Sequence, residues 1–232
     1  MVFSATSRTG RTFKVTPKVL ARRWSIGLQT AKDTLARTTQ RGIHDLRNTV
    51  MGHRIKPSCY QLKYRHIRSN FFTDTLFSNV TSLTGHKCGQ IFINNLALVK
   101  FYPMKQVKDA HLALTSFHHE VGVPPIIYTD GHRGLTQGEF ACKVRGSGFF
   151  LKTTEPFTWR QNLAENGIKE LKRLHRRSQH ESNSPSYLWD HSLQLQAAIR
   201  SNTVHDIYDL QGEVPTTAVT GDTADISNLA EF

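Results

Sequence analysis

Residues 126–131 read IIYTDG, and this stretch sets the expected fold of the chain. The apolar run at residues 126–128 lies between two prolines and Gly131, which predicts a short buried strand. That strand would deliver Asp130 at its carboxyl end, where open α/β sheets hold their ligands. Asp130 is therefore the first candidate functional residue.

Two further acidic residues lie in elements that fit the same site. Asp74 is in the middle of a predicted aromatic-rich strand, FFTDTLFS, where a carboxylate is costly to bury without compensation. Glu165 follows Asp130 by 35 positions, near the start of a predicted amphipathic helix. A single acid is more often a solvated surface residue, but three that converge would suit Mg²⁺. Two such ions about 3.5–4 Å apart clamp the attacking and leaving oxygens of a phosphoryl transfer.

The order Asp74, Asp130, Glu165 resembles the DDE triad of retroelement integrases, within the RNase H-like superfamily. Longer segments resemble the integrase region of copia-type long-terminal-repeat retrotransposon polyproteins: FFTDTLFSNVTSLTGHKCGQIFINN, YPMKQVKDAHLAL, TEPFTWRQNLAENGIKELKR and SPSYLWDHSLQLQAAIRS. The similarity covers roughly residues 15–232, and TGDTADIS near the end resembles the motif that follows the catalytic core in these elements.

The resemblance implies a polynucleotidyl transferase that processes DNA ends and joins them to target DNA. Asp74, Asp130 and Glu165 would be its catalytic residues and would bind two Mg²⁺ or Mn²⁺ ions. The resemblance also implies that the protein binds DNA and works as a homo-oligomer in the nucleus. Its source would be a longer Gag-Pol polyprotein. Two alternatives stay open: an RNase H-like nuclease that cuts without joining, and a catalytically inactive or domesticated DNA-binding protein.

The predicted fold class is α/β, an RNase H-like mixed five-stranded sheet with flanking helices. Three strands should form an antiparallel meander, at residues 71–78, about 90–94 and about 97–102, with Pro103 ending the third. Two parallel strands follow, at 126–129, beside the first strand, and near 149–152. Helices are expected at 105–121, near 135–145, from about 160, and at 184–202.

Charge is distributed unevenly along the chain, whose net charge is +12. Residues 1–70 contain 15 Lys and Arg against two acids, whereas residues 203–232 contain six acids and neither Lys nor Arg. A basic arm of this kind suits nucleic-acid phosphates and predicts salt-dependent binding. The predicted organisation is a disordered basic tail (1–14), a helical segment (15–40), a basic linker (41–69), the catalytic core (70–202) and an acidic C-terminal loop segment (203–232).

Residues 15–40 are predicted to form two short helices. Thr16 can cap the first, which has Pro17 at its first position, and the apolar pattern resumes after a break at residues 25–27. The arrangement fits a helix-turn-helix, whose second helix enters the DNA major groove, and a plain helical hairpin equally well. In the first case the DNA contacts would include Arg22, Arg23 and Lys32.

The helix that carries Glu165 is also predicted to bind DNA. Spacings of 4, 3, 1 and 3 residues place a cationic stripe behind Glu165, made of Lys169, Lys172, Arg173 and Arg176. Such a stripe can follow a DNA backbone, although the same pattern is common on solvated helices with Glu–Lys pairs. Asn162 lies where the family has polar residues before the glutamate, and is a further candidate DNA contact.

The sequence also argues against several other sites. No apolar run approaches 18 residues, which excludes a membrane-spanning helix, and the basic N-terminus lacks the apolar region of a secretory signal. No zinc site is predicted, because the available ligands (His44, His53, Cys59 and Cys88) include no CxxC pair. Neighbouring His118 and His119 point about 100° apart on a helix and are expected at a surface helix end.

Overall fold

The computed structural model describes residues 15–40, 64–130, 133–136, 138–153 and 163–229. The strands are β1 Phe71–Phe77, β2 Cys88–Ile93, β3 Val99–Met104, β4 Ile126–Thr129 and β5 Phe150–Thr153. The helices are α1 Pro17–Arg23, α2 Leu28–Arg37, α3 Ala110–Glu120, α4 Arg133–Thr136, α5 Glu139–Ser147, α6 Leu163–Ser182, α7 Trp189–Ser201 and α8 Pro215–Thr220.

The five strands form one mixed sheet in the order β3-β2-β1-β4-β5, which confirms the predicted fold class. The first three strands are an antiparallel meander, in which Asp74 of β1 pairs with Ile91 of β2. β4 runs parallel to β1, and β5 runs parallel to β4. β3, the last strand of the meander, therefore forms one edge of the sheet, and the parallel strand β5 forms the other.

Some element boundaries differ from the predictions for identifiable reasons. Pro103 does not end the third strand but lies within β3, paired with Gly89. Proline is tolerated there because β3 is an edge strand, where a residue can lack the N–H that would bond to a neighbouring strand. The helix expected near residues 135–145 is divided into α4 and α5, and Gly138 caps the second. The loop expected after residue 203 contains α8, which starts at Pro215, a residue suited to a first helical turn.

Two apolar cores cover the two faces of the sheet. On one face, Phe71 and Phe92 pack against Phe117 of α3, with the rings of Phe92 and Phe117 stacked 4.5 Å apart. On the other face, Leu76 of β1 packs with residues of α6 and α7, among them Leu171. Alternate residues of β1 face opposite cores, so Asp74 shares its face with Leu76 and with the helix that carries Glu165.

The N-terminal helix pair is packed against α7 and the C-terminal segment rather than projecting from them. Trp24, which follows α1, and Ala31 of α2 join a small apolar cluster with Ile199 of α7 and Ile226. The indole nitrogen of Trp24 also donates a hydrogen bond to the carbonyl of Leu229, at 3.3 Å. The apolar faces of both helices are therefore used for packing, and a DNA-reading role for this pair stays a prediction.

Several sequence predictions concern residues outside the described ranges. The tail at residues 1–14 and residues 41–63 of the predicted linker are among them, as are Asn162 and the candidate zinc ligands His44, His53 and Cys59. Cys88, the remaining candidate, is buried in β2, and burial raises the pKa of its thiol. In the part of the chain that is described, no helix combines the length and apolarity needed to cross a membrane.

Candidate active site

The two aspartates occupy matching positions on neighbouring parallel strands. Phe72 of β1 is paired with Tyr128 of β4, and Thr73 with Thr129. Asp74 and Asp130 each follow the last of these pairs by one residue, and adjacent strands lie about 4.8 Å apart. The strand adjacency agrees with the sequence prediction, and continuing this register by one residue would put both carboxylates on the same face.

The strand segment around Asp74 is held by a buried polar network on the opposite face of the sheet. Thr73 donates from its hydroxyl to the carbonyl of Ile91, at 2.7 Å, and accepts a hydrogen bond from the Gln90 amide, also at 2.7 Å. Thr75 donates to the Gln90 side-chain oxygen at 2.8 Å. Both neighbours of Asp74 are thereby fixed, and its carboxylate itself accepts a hydrogen bond from the Thr75 N–H at 2.7 Å.

Helix α6 brings Glu165 to the same side of the sheet. Gly167 lies against β2, and a Cβ atom placed on it would be 2.9 Å from the Ile93 side chain and 3.3 Å from that of Ile91. Ile91 is the residue that pairs with Asp74, so the first turn of α6 crosses the sheet at the level of the aspartates. The missing side chain at Gly167 allows this close approach of helix and sheet.

Glu165 forms an ion pair with Lys169 instead of completing a ligand set. Its carboxylate lies 2.9 Å from the Lys169 ammonium nitrogen, and both side chains are substantially exposed. Among the described side chains, no three of the His, Cys, Asp and Glu type are grouped so that they could hold a metal ion. The two aspartates supply hard carboxylate oxygens that fit Mg²⁺ or Mn²⁺, and Glu165 could join them only after leaving Lys169.

The cationic stripe on α6 divides into two faces. Lys169, Lys172 and Arg176 follow Glu165 by 4, 7 and 11 residues and share its face. Arg173 lies on the neighbouring face, where its guanidinium donates two hydrogen bonds to Glu170, at 2.8 and 2.9 Å. Arg173 is thus at the border of the predicted stripe and is engaged by Glu170, and its contact with DNA stays a prediction.

The remaining predicted DNA contacts lie far along the chain from the acids. Arg22, Arg23 and Lys32 are exposed on α1 and α2, the helix pair that packs on α7 and the C-terminal segment. The cationic character of this surface is reduced locally, since Asp33 follows Lys32 and the Arg37 guanidinium lies 2.7 Å from Glu213.

A buried carboxylate that sequence reasoning missed ties α7 to the β1–β2 connection. Asp190 is only 1% exposed and accepts hydrogen bonds from the Thr84 hydroxyl and from His86 Nδ1, both at 2.7 Å. Burial alone would raise the pKa of Asp190, but these hydrogen bonds and one from the His191 N–H lower it to about 2. Sequence offered only a weak signal, an acid at the start of a helix.

His118 is buried, contrary to the surface position predicted for it. Its ring lies edge-on to Phe149, with centroids 5.3 Å apart, and is 1% exposed. His119, about 100° further round α3, is exposed and lies 3.2 Å from the Tyr64 hydroxyl. Burial, followed by the charge of Lys143, lowers the pKa of His118 to about 3, so its ring is neutral in the folded protein.

The chain resembles solved retroviral integrase structures in fold, whereas its sequence matches no protein-family model and no curated protein. A chain of the cryo-EM structure of the simian T-cell lymphotropic virus intasome in complex with PP2A regulatory subunit B56 gamma has a TM-score of 0.56 and 15% identity, over 88% of this chain and 72% of that chain. The fold is RNase H-like. At this identity the likeness concerns the fold alone.

Two further structures match over a smaller part of the chain. The catalytic core domain of BIV integrase has a TM-score of 0.45 and 15% identity, over 63% of this chain and 90% of that chain. The HTLV-2 integrase catalytic core domain, in complex with magnesium in a trimeric form, has a TM-score of 0.47 and 14% identity, over 63% of this chain and 92% of that chain.

Proposed function

We propose that this chain is an integrase, a polynucleotidyl transferase that processes DNA ends and joins them to target DNA. One observation carries the proposal: Asp74 and Asp130 each follow by one residue the Thr73–Thr129 pair of the parallel strands β1 and β4, in an RNase H-like sheet. Two carboxylates that lie side by side repel each other. Such an arrangement is stable only where a cation or another compensating group is bound. Helix α6, which carries the third acid, Glu165, packs over the other apolar core face of the same sheet through Gly167.

The three acids have distinct roles in this proposal. Bound Mg²⁺ or Mn²⁺ would polarise the phosphoryl group and activate the attacking oxygen. This oxygen belongs to water in end processing and to a DNA 3′-hydroxyl in strand transfer. Asp74 and Asp130 would hold the cations from the sheet. Glu165 would join them by leaving its ion pair with Lys169, whose ammonium group would then be available to a DNA phosphate.

The source and setting follow from the sequence resemblance rather than from the fold. The segments that resemble copia-type retrotransposon integrases point to an element-encoded enzyme cut from a longer polyprotein. Such an enzyme brings two DNA ends together, so we expect it to act as a homo-oligomer on DNA, in the nucleus. Exposed Lys172 and Arg176, with Arg22, Arg23 and Lys32 on the helix pair, are the proposed phosphate contacts.

Strand transfer of a labelled terminal-repeat oligonucleotide into plasmid DNA, with Mg²⁺ or Mn²⁺, tests the proposal. Asp74→Asn, Asp130→Asn and Glu165→Gln should each reduce joined product by at least about a hundredfold, as loss of a group that stabilises the transition state does. Asp209→Asn, an exposed acid far along the chain, is the matched control and should retain activity.

The same assay separates the alternatives. Nicking of plasmid that depends on the three acids but yields no joined product would identify an RNase H-like nuclease. Salt-sensitive DNA binding without chemistry, unchanged in the Asp74→Asn variant, would identify a DNA-binding protein that has lost catalysis. Joining that persists in Asp130→Asn would overturn the assignment of the site.

A further inference from the structure

The sheet face that carries Asp74 is covered unevenly by the described helices. On this face α6 packs on β1 and β2, and α7 packs on β3. Over β4 and β5 the side chains stay accessible: Phe150 is 71% exposed, Lys152 is exposed and Tyr128 is half-buried. An open strip of sheet, formed by these three residues, therefore lies beside the candidate active site.

Tyr128 of β4 lies on the α6 face of the sheet. It is paired with Phe72, which packs against the apolar core under α6 and α7, whereas its neighbour Ile127 belongs to the core under α3. Asp74 follows Phe72 by two residues on β1 and therefore faces the same way. With strands about 4.8 Å apart and about 3.3 Å per residue, the Cα atoms of Tyr128 and Asp74 are roughly 8 Å apart.

Phe150 and Lys152 of β5 share this face. The parallel register pairs Phe150 with Ile126 and Lys152 with Tyr128. Leu151, between them, packs against the α3 core, so strand alternation turns the side chains of Phe150 and Lys152 to the opposite side. Strand β5 thus adds an apolar ring and a cation to the open strip, at the edge of the sheet.

The rings of Phe72 and Tyr128 form a stack that ends over β4. Their centroids are 4.8 Å apart and their planes differ by 17°. Because the two rings are nearly parallel and one strand spacing apart, Phe72 covers the face of the Tyr128 ring that points to β1. The other face of that ring points to β5, where its cross-strand neighbour is the flexible chain of Lys152. A planar group can therefore extend the stack over β5.

The charge of the open strip indicates what kind of planar group it accepts. The Lys152 ammonium group forms no salt bridge with any residue of the described ranges. An apolar protein side chain would leave this cation uncompensated, whereas a nucleotide supplies both a flat base and a phosphate. Aromatic faces beside cations are the means by which proteins hold single bases of nucleic acid.

We propose that the open strip binds one unpaired base of the DNA strand that reacts at Asp74 and Asp130, an assignment that rests on the proposed function. The base stacks on the free face of Tyr128, and its sugar contacts Phe150. A base inside a duplex has both faces covered by neighbouring bases, so a paired base cannot occupy this position. At about 3.4 Å per nucleotide of one stacked strand, roughly 8 Å places this base two or three nucleotides from the reacting phosphate.

Photocrosslinking by the full chain in EDTA, where no metal-dependent chemistry occurs, tests the contact directly. One DNA duplex is blunt, and the other ends in three unpaired nucleotides, with 5-iodouracil at the same position of the strand in both. Irradiation joins this base to an aromatic ring stacked on it. Peptide mass spectrometry should place the crosslink of the unpaired end at Tyr128, and the blunt duplex should give no crosslink there.

Binding of the two duplexes by variants measures the contribution of the stack. Wild-type protein should bind the unpaired end more tightly than the blunt end. Tyr128→Leu should weaken binding of the unpaired end about five- to hundredfold and leave the blunt end unchanged. Tyr128→Phe keeps the ring and should retain the preference. Tyr208→Leu, which removes an exposed tyrosine after α7, is the matched control and should change neither affinity.

Two further variants test the edge of the strip without touching the core. Phe150→Ser should weaken binding of the unpaired end, whereas Leu112→Ser, at an exposed apolar site on α3, should not. Lys152→Met should reduce the slope of log affinity against log salt for the unpaired end by about 0.7. Lys108→Met, at an exposed site before α3, should leave that slope unchanged.

Three results would overturn the proposal. They are equal affinity of the wild type for both duplexes, a crosslink that lies outside β4 and β5, and a Tyr128→Leu effect that is the same on both ends. DNA binding that is unaffected by Tyr128→Leu and Phe150→Ser would also overturn it and assign the open strip to a protein partner.

Strand transfer measured in parallel with Mg²⁺ keeps this proposal distinct from the proposed function. Joined product without the Tyr128 crosslink overturns the base-binding assignment and leaves the integrase function standing. The crosslink without joined product contradicts the integrase function and leaves a base-binding strip on the sheet.

Discussion

The Glu165 carboxylate and the Lys169 ammonium group lie 2.9 Å apart, one helical turn from each other on α6. This ion pair competes directly with any metal that Glu165 would bind. Exposed pairs of this spacing contribute about 0.3–0.5 kcal/mol, so the competition is weak enough for a cation to displace it.

Replacing Lys169 with Met should therefore tighten Mn²⁺ binding about twofold, the equivalent of one such pair. Titration followed by electron paramagnetic resonance, without DNA, measures this directly. Arg177→Met is the matched control, since it removes another i,i+4 pair from the same helix, with Glu181, and should leave Mn²⁺ affinity unchanged. Unchanged or weaker affinity in Lys169→Met would show that Glu165 is not a metal ligand.

Asp190→Ala should lower the free energy of unfolding by about 1–3 kcal/mol, because the Thr84 and His86 donors lose their acceptor inside the protein. The folded pKa of about 2 is below the ordinary value of 3.8, so the stabilisation is present above pH 3.8 and lost as the pH falls towards 2. Urea denaturation at pH 7 measures the loss. Exposed Asp209→Asn should stay within about 0.5 kcal/mol of wild type, and an equally small effect of Asp190→Ala would contradict the network.

His118 should make the protein less stable as the pH falls below about 6.5. In the unfolded chain the ring binds a proton with the ordinary pKa of 6.5, whereas in the folded protein burial lowers this pKa to about 3. Unfolding therefore takes up a proton between these two pH values. His118→Leu should reduce the slope of stability against pH between 6.5 and 5. Burial also lowers the pKa values of His175 and His205, so part of the slope remains. Exposed His191→Gln should keep the wild-type slope, and an identical slope in His118→Leu would refute the assignment.

Gly89→Ala should destabilise the sheet by about 1–3 kcal/mol or more, as overpacking of a core does. A Cβ atom there would lie 2.2 Å from the Phe101 ring and 3.1 Å from the Tyr102 carbonyl oxygen, and the backbone oxygen has little freedom to move. Gly146→Ala is the control, since its Cβ meets nothing within 4 Å and alanine favours the helix by about 1 kcal/mol. In thermal denaturation the melting temperature should therefore fall for Gly89→Ala and rise for Gly146→Ala. An unchanged melting temperature of Gly89→Ala would contradict this packing.

The sequence by itself determined the sheet and the placement of two of the three acids. The apolar run at residues 126–128 and the alternation around Asp74 are local signals, and they specify a strand that ends just before Asp130 and another that carries Asp74. Once the strands are parallel neighbours, period-two alternation decides which face Asp74 occupies, and the Thr73–Thr129 pair brings Asp130 next to it, one residue beyond the end of β4.

Only the tertiary structure decided how the helices present their charges and what the chain buries. Helical spacing predicted a single cationic stripe, but Arg173 pairs with Glu170, while Lys172 and Arg176 line the cavity between the end of β1 and α6. The same applies to the burial of His118. A helix pattern repeats every 3.6 residues wherever the helix is placed, so which neighbour meets which side chain depends on packing against distant parts of the chain, and that information is not local.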